Sequence, residues 1–117
     1  VFFSRPLPQL LIKSAQPIHI LSKDRSIMSK TVEILFSGRV QKVGFRACIK
    51  KTADSVGLCG EVENLADGRV RALVTGEEPL IEKFLSLTYS CPRAIIKNIE
   101  TADYVYTEFY GFSVKRE

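Results

Sequence analysis

Ser37-Gly38-Arg39-Val40-Gln41-Lys42-Val43-Gly44-Phe45-Arg46 joins two different periodicities. Ahead of it, Val32, Ile34 and Phe36 alternate with the period of a strand. Behind it, Phe45, Ile49, Ala53 and Val56 recur at helical spacing. The stretch is therefore a strand-to-helix turn that contains Gly38 and Gly44. A helix opening from such a turn begins with backbone N–H groups that lack intrahelical acceptors, and its dipole places partial positive charge there. An anion, phosphate above all, is the natural guest.

Arg46 sharpens this reading. A cation in the first helical turn opposes the dipole, a mismatch of about 0.3–1 kcal/mol at an exposed site. Arg39 and Lys42 crowd the same region, and no acid occurs between Glu33 and Asp54. A negative partner would relieve the repulsion. Ordinary solvation of surface charges is the competing explanation, and charge spacing does not choose between them.

At 117 residues the chain is one domain, long enough to bury a core without metal or disulfide staples. With 45% hydrophobic and 26% charged residues it has the composition of a soluble globular protein. No apolar run approaches the roughly 18 residues that span a bilayer, so no membrane partner is expected. The net charge of +4 is unevenly placed. Residues 1–30 carry five Lys or Arg against Asp24 alone, which leaves twelve basic and twelve acidic residues for 31–117. A balanced domain argues against a general nucleic-acid binder, which needs a basic face.

Cys48, Cys59 and Cys91 are too far apart for a zinc knuckle. Their odd count predicts free thiols in a reducing, cytoplasmic compartment, each filling the place of a small hydrophobe. Thiol catalysis is not expected, because the one histidine, His19, lies in the N-terminal segment. That segment, 1–28, contains Pro6, Pro8 and Pro17, which break any continuous helix. Its basic, nearly acid-free composition faintly resembles a targeting peptide, though an upstream extension or linker is the better reading. Residues 1–28 are expected to be mobile and dispensable, and 29–117 to form the domain.

The rest of the chain reads as strand 31–39, helix 45–56 capped by Gly57, and strand 59–65. Asp67-Gly68 marks a tight turn into strand 69–75. Gly76-Glu77-Glu78-Pro79 starts a second helix, with acids at its positive end and Leu80, Ile81, Phe84, Leu85 and Thr88 turned inward. Pro92 marks its limit. Strand 94–101, a loop over 102–108 and a short strand 110–115 follow. This β-α-β-β-α-β order with a short terminal strand predicts an α+β, ferredoxin-like α/β plait. Two right-handed crossovers interleave into an antiparallel sheet with both helices on one face. The fold hosts many functions and decides none.

Two sets of residues at matched spacing are more specific. Gly38-Arg39-Val40-Gln41-Lys42-Val43-Gly44-Phe45-Arg46 is followed by Gly57, Gly60, Val62 and Asn64, then by Asp67-Gly68-Arg69-Val70. Gly76 and a terminal Tyr110-Gly111-Phe112-Ser113-Val114 complete the pattern. It resembles acylphosphatase over roughly 29–116. The resemblance implies hydrolysis of acyl phosphates to carboxylate and inorganic phosphate, without metal or organic cofactor. It implies that Gln41, Lys42, Val43, Gly44, Phe45 and Arg46 cradle the phosphate. Arg46 would bind substrate and Asn64 would orient the attacking water.

The chemistry of these residues agrees. An acyl phosphate has a weakly basic leaving group, so the enzyme mainly positions it and stabilises charge on the transferring oxygens. A guanidinium matches phosphate oxygens two at a time, and an amide both donates and accepts. Asn64 has a plainer explanation as a hairpin residue. Strand alternation, however, puts it on the side of Gly60 and Val62, away from Glu61 and Glu63. Lys42 departs from the family, which often has glycine there. Either the position needs positive φ and lysine is strained by about a kcal/mol, or any backbone serves and Lys42 adds positive potential.

Three other readings compete with this one. A related module acting on carbamoyl phosphate inside a larger maturation protein is disfavoured by the absence of zinc-finger cysteines and by the short tail after the last strand. An RNA-binding plait needs aromatics exposed on the central strands, which here carry Leu35, Arg71 and Leu73 opposite the hydrophobic set. The last is a catalytically inactive plait that binds anions, RNA or a protein partner. The expected partner is a small acyl phosphate, with no nucleic acid, and the expected state is a monomer. A chain beginning at Met28 should retain fold and acyl phosphate turnover, measured by circular dichroism and phosphate release; loss of either overturns the dispensability of 1–28.

Overall fold

The computed structural model describes residues 29–116. The expectation for 1–28 therefore lies outside the described residues. The elements are β1 (Ser29–Arg39), α1 (Phe45–Val56), β2 (Cys59–Asn64), β3 (Val70–Glu77), α2 (Glu78–Thr88), β4 (Ile95–Tyr104) and β5 (Phe112–Val114). The strands form one sheet in the order β4-β1-β3-β2-β5. This is the expected plait, with β1 antiparallel to both β3 and β4, and β2 antiparallel to β3. Among the described residues, no helix is long and apolar enough to cross a membrane.

Period-two alternation explains the core. Val32, Ile34 and Phe36 of β1 lie opposite Val74, Ala72 and Val70 of β3, and all six are buried. They meet Phe45, Ile49 and Ala53 of α1 and Ile81 and Phe84 of α2, which recur at helical spacing and are also buried. Phe36 and Phe45 pack edge to face with centroids 5.1 Å apart. That contact locks the end of β1 to the start of α1, so the turn between them is anchored on both sides. Gly57 takes the left-handed cap expected of it, at φ 81°, and its N–H donates to the Asp54 carbonyl.

The terminal strand differs from expectation. It is shorter than 110–115, and it pairs parallel to β2, making the sheet mixed. To reach that edge the chain crosses the sheet face that the helices leave uncovered. Thr107 is the fastening: its N–H donates to Thr31 Oγ1 (2.8 Å) and its carbonyl accepts from Thr75 Oγ1 (2.7 Å). β4 is also longer than expected, because Ala102, Asp103 and Tyr104 pair with Glu33, Val32 and Thr31. Edge position, not hydrophobic pattern, defines these residues. β1 supplies backbone partners from Thr31 to Arg39, and β4 side chains are mostly exposed.

The expectation of free thiols is corrected. Cys48 on α1 and Cys91 beyond α2 form a disulfide, with Cα atoms 5.9 Å apart across a sequence separation of 43. Cys59 alone is free, and it is half-buried. The odd count pointed the wrong way, because helix packing, which a count does not register, is what brings the two sulfurs together. Bridging a loop of this length restricts the unfolded chain, an effect on the order of 2–4 kcal/mol. Cys91→Ser should therefore lower the unfolding free energy by about that amount in urea titrations under oxidising conditions, and reductant should do the same to the native chain.

Candidate active site

The turn after β1 is built from unusual backbone. Lys42 sits at φ 64° and Gly44 at φ 75°, both left-handed. Gly44 caps α1 without a side chain to offer its first N–H groups. The first helical bond runs from Cys48 N–H to the Gly44 carbonyl (3.1 Å). The N–H groups of Phe45, Arg46 and Ala47 thus have no acceptor within the helix, and no acid stands in its first turn. Val40 and Phe45 are buried at either end, so the segment is pinned while Lys42 and Gly44 stay exposed.

Gln41 holds the turn from the side. Its Nε2 donates to the carbonyls of Leu65 (2.8 Å) and Arg69 (2.9 Å) in the β2–β3 hairpin. That hairpin is itself stiffened by Asp67, whose Oδ1 accepts from Arg69 N–H at 3.0 Å. This backbone bond, with the Arg69 side chain, holds the Asp67 carboxyl below its ordinary value. The contact is complete above the unfolded-state value and loosens as pH falls through the lowered one.

A cavity of about 210 Å³ opens at the start of α1, lined by Val40, Lys42, Gly44, Phe45, Arg46, Ala47, Asn64, Val114 and Arg116. Arg46 and Asn64, which the sequence separates by a helix and a strand, meet here. Asn64 is the last residue of β2, on the helix-side face with buried Val62, and its Oδ1 is shielded from solvent. Arg46 is half-buried, and its Nη1 donates to the Lys115 carbonyl at 2.8 Å. Of the six residues expected to cradle phosphate, Lys42, Gly44, Phe45 and Arg46 line the cavity. Gln41 and Val43 are not among its lining residues; Gln41 points its amide at the hairpin instead.

A family model described as acylphosphatase matches residues 32–114. The chain belongs to the acylphosphatase family. It is 39% identical over 87 residues to an acylphosphatase of Methanocella arvoryzae, covering 74% of this chain and 99% of that one. It is 40% identical over 90 residues to an acylphosphatase of Thermoplasma volcanium, covering 76% and 100%. The solved structure of an acylphosphatase from Coxiella burnetii superposes with a TM-score of 0.73 at 27% identity, over 78% of this chain and 97% of that one.

Three features of the cavity in this acylphosphatase family member were not legible in the sequence. Arg116 lines the cavity from beyond β5. The Lys115 carbonyl orients Arg46, and Lys115 N–H is in turn held by the Val62 carbonyl at 2.8 Å. Arg93 backs the turn: a Cβ on Gly44 would lie 3.6 Å from its guanidinium. Each depends on which strand lies beside which. The question left open at Lys42 is decided by its φ of 64°, where a lysine is strained by about 1 kcal/mol. Lys42→Gly should change unfolding free energy by less than about 1 kcal/mol, since relief of strain is offset by chain entropy. The same variant should weaken inhibition by inorganic phosphate about two- to fivefold, the size expected for losing an exposed ion pair.

Proposed function

We propose that the cavity at the start of α1 is the catalytic site, and that Arg46 and Asn64 carry the reaction. The activity is hydrolysis of the carboxyl–phosphate bond of acyl phosphates. The observation that carries the assignment of roles is the meeting of Arg46 and Asn64 in one cavity that Lys42 and Arg116 border and that, among the described residues, no acid lines. The phosphoryl group lies against the N–H groups of the 41–46 turn, with the Arg46 guanidinium across two of its oxygens. The Asn64 amide holds a water in line with the bond that breaks. Water oxygen bonds to phosphorus as the bond from phosphorus to the acyl oxygen breaks. The electron pair leaves on a carboxylate, and the water's protons stay with inorganic phosphate. Fixed positive groups at the transferring oxygens supply most of the stabilisation.

No metal or organic cofactor is assigned a role, and a monomer with residues 29–117 as the catalytic unit is the working assembly. A nucleic-acid partner is not proposed. The sheet face that RNA-binding plaits use is occupied here by Arg71, ion-paired to Glu33 (2.6 Å) and Glu63 (3.0 Å). Cytoplasmic residence rested on free thiols, and the Cys48–Cys91 bridge removes that support.

Arg46→Ala should abolish hydrolysis of benzoyl phosphate and weaken inhibition by inorganic phosphate. Asn64→Ala should lower kcat by about 10²–10³ while phosphate inhibition is kept. Wild-type kcat in either variant removes that residue from the site. Cleavage of an aryl phosphate monoester at a comparable rate, in chelator-treated buffer, would point to another phosphatase chemistry.

A further inference from the structure

Ala47, Lys50, Lys51 and Asp54 stand at i, i+3, i+4 and i+7 of α1 and form one stripe of that helix. The stripe borders a groove of about 620 Å³ whose other wall is Phe112, Ser113 and Val114 of β5. The groove shares Ala47, Val114 and Arg116 with the cavity at Arg46, so the two are one continuous depression. Its surface is mainly apolar, but its rim is cationic. Lys50 is neutralised by Asp54 at 2.9 Å. Among the described residues, Lys51 and Arg116 have no acidic partner, and both are exposed.

From a phosphate seated at Arg46, this groove is a direct path for the acyl group, since the two depressions share Ala47, Val114 and Arg116. We propose that the groove binds the acyl group of the substrate, and that it favours an apolar acyl group ending in a second negative charge, which Lys51 meets. This rests on placing the phosphate in the 41–46 turn. Two features choose the occupant. Phe112, Val114 and Ala47 offer an apolar bed for a ring or short chain. Ala47, which lines the cavity at Arg46, and Lys51 on the groove are i and i+4 on one stripe of α1, about 6 Å of helical rise, roughly the reach of an aromatic ring with a para substituent. Arg116 lines both compartments and stands at their junction, where the leaving carboxylate gathers charge. An acyl group ending in a cation would meet only Lys51 and Arg116, with Asp54 already engaged.

The test compares benzoyl phosphate with para-carboxybenzoyl phosphate on the full chain, and reads the ratio of their KM values. In the wild type the carboxylated substrate should have the lower KM by about two- to fivefold, the size of an exposed ion pair. Lys51→Gln should bring the ratio near one, and Lys51→Glu should invert it. Lys83→Gln, on the exposed side of α2, should keep the wild-type ratio. A wild-type ratio near one, or a ratio that Lys51→Gln leaves unmoved, overturns the groove as an acyl subsite; continued hydrolysis of benzoyl phosphate then leaves the catalytic assignment standing. Failure of the wild type to hydrolyse either substrate overturns both.

Discussion

The Arg46 guanidinium is held from behind by the Lys115 carbonyl, and much else in the structure exists to keep that carbonyl in place. Lys115 follows β5, a strand of three residues held by its parallel pairing with β2 and by the buried Phe112 side chain. β5 can reach that edge only because the preceding chain crosses the sheet and is tied down at Thr107. Two glutamates of β2, Glu61 and Glu63, lie 3.7 and 3.8 Å from the Lys115 ammonium, giving the same residue a loose second hold. A guanidinium in the first turn of a helix is repelled by the dipole. The carbonyl offsets that repulsion and selects one orientation, so that less rotamer freedom remains to be lost when an anion binds.

The turn itself is rigid for an unusual reason. Its middle makes no regular backbone ladder, and Lys42 occupies a left-handed conformation that lysine rarely adopts. Strain of that kind persists only where the surroundings over-determine it. Here the surroundings are buried Val40 and Phe45 at the ends, the Gln41 amide gripping two hairpin carbonyls, and Arg93 behind Gly44. The Cys48–Cys91 bond belongs to the same scaffold, since it ties the helix that begins at this turn to the segment that carries Arg93. Pre-organised N–H groups need no reorganisation when charge develops on a transferring phosphoryl group, which is where an enzyme of this chemistry gains most.

Charge is partitioned between the two sides of the sheet. On the helix side, the cavity collects Lys42, Arg46 and Arg116, with no acid among the described residues that line it. On the other side, Arg71 is paired with Glu33 and Glu63, and the Glu33 carboxylate in particular raises the pKa of that guanidinium. The domain's near-neutral total therefore conceals a local positive field where a phosphate would sit, bounded by low-dielectric core on one side.

The sequence by itself determined the order of elements, the helix-facing core and the place of the strand-to-helix turn, because these rest on periods of two and 3.6 residues and on glycine at positions that demand it. It also placed Asn64 on the inner side of its strand, because alternation is a local property. Only the tertiary structure decided that Cys48 meets Cys91, that the last strand runs parallel to β2, that β4 continues to Tyr104, and that Arg116 and the Lys115 carbonyl join Arg46. None of these leaves a local mark. Each is a contact between segments far apart in the chain, chosen by which helix packs on which strand and by an edge that needs backbone partners whatever side chains it carries.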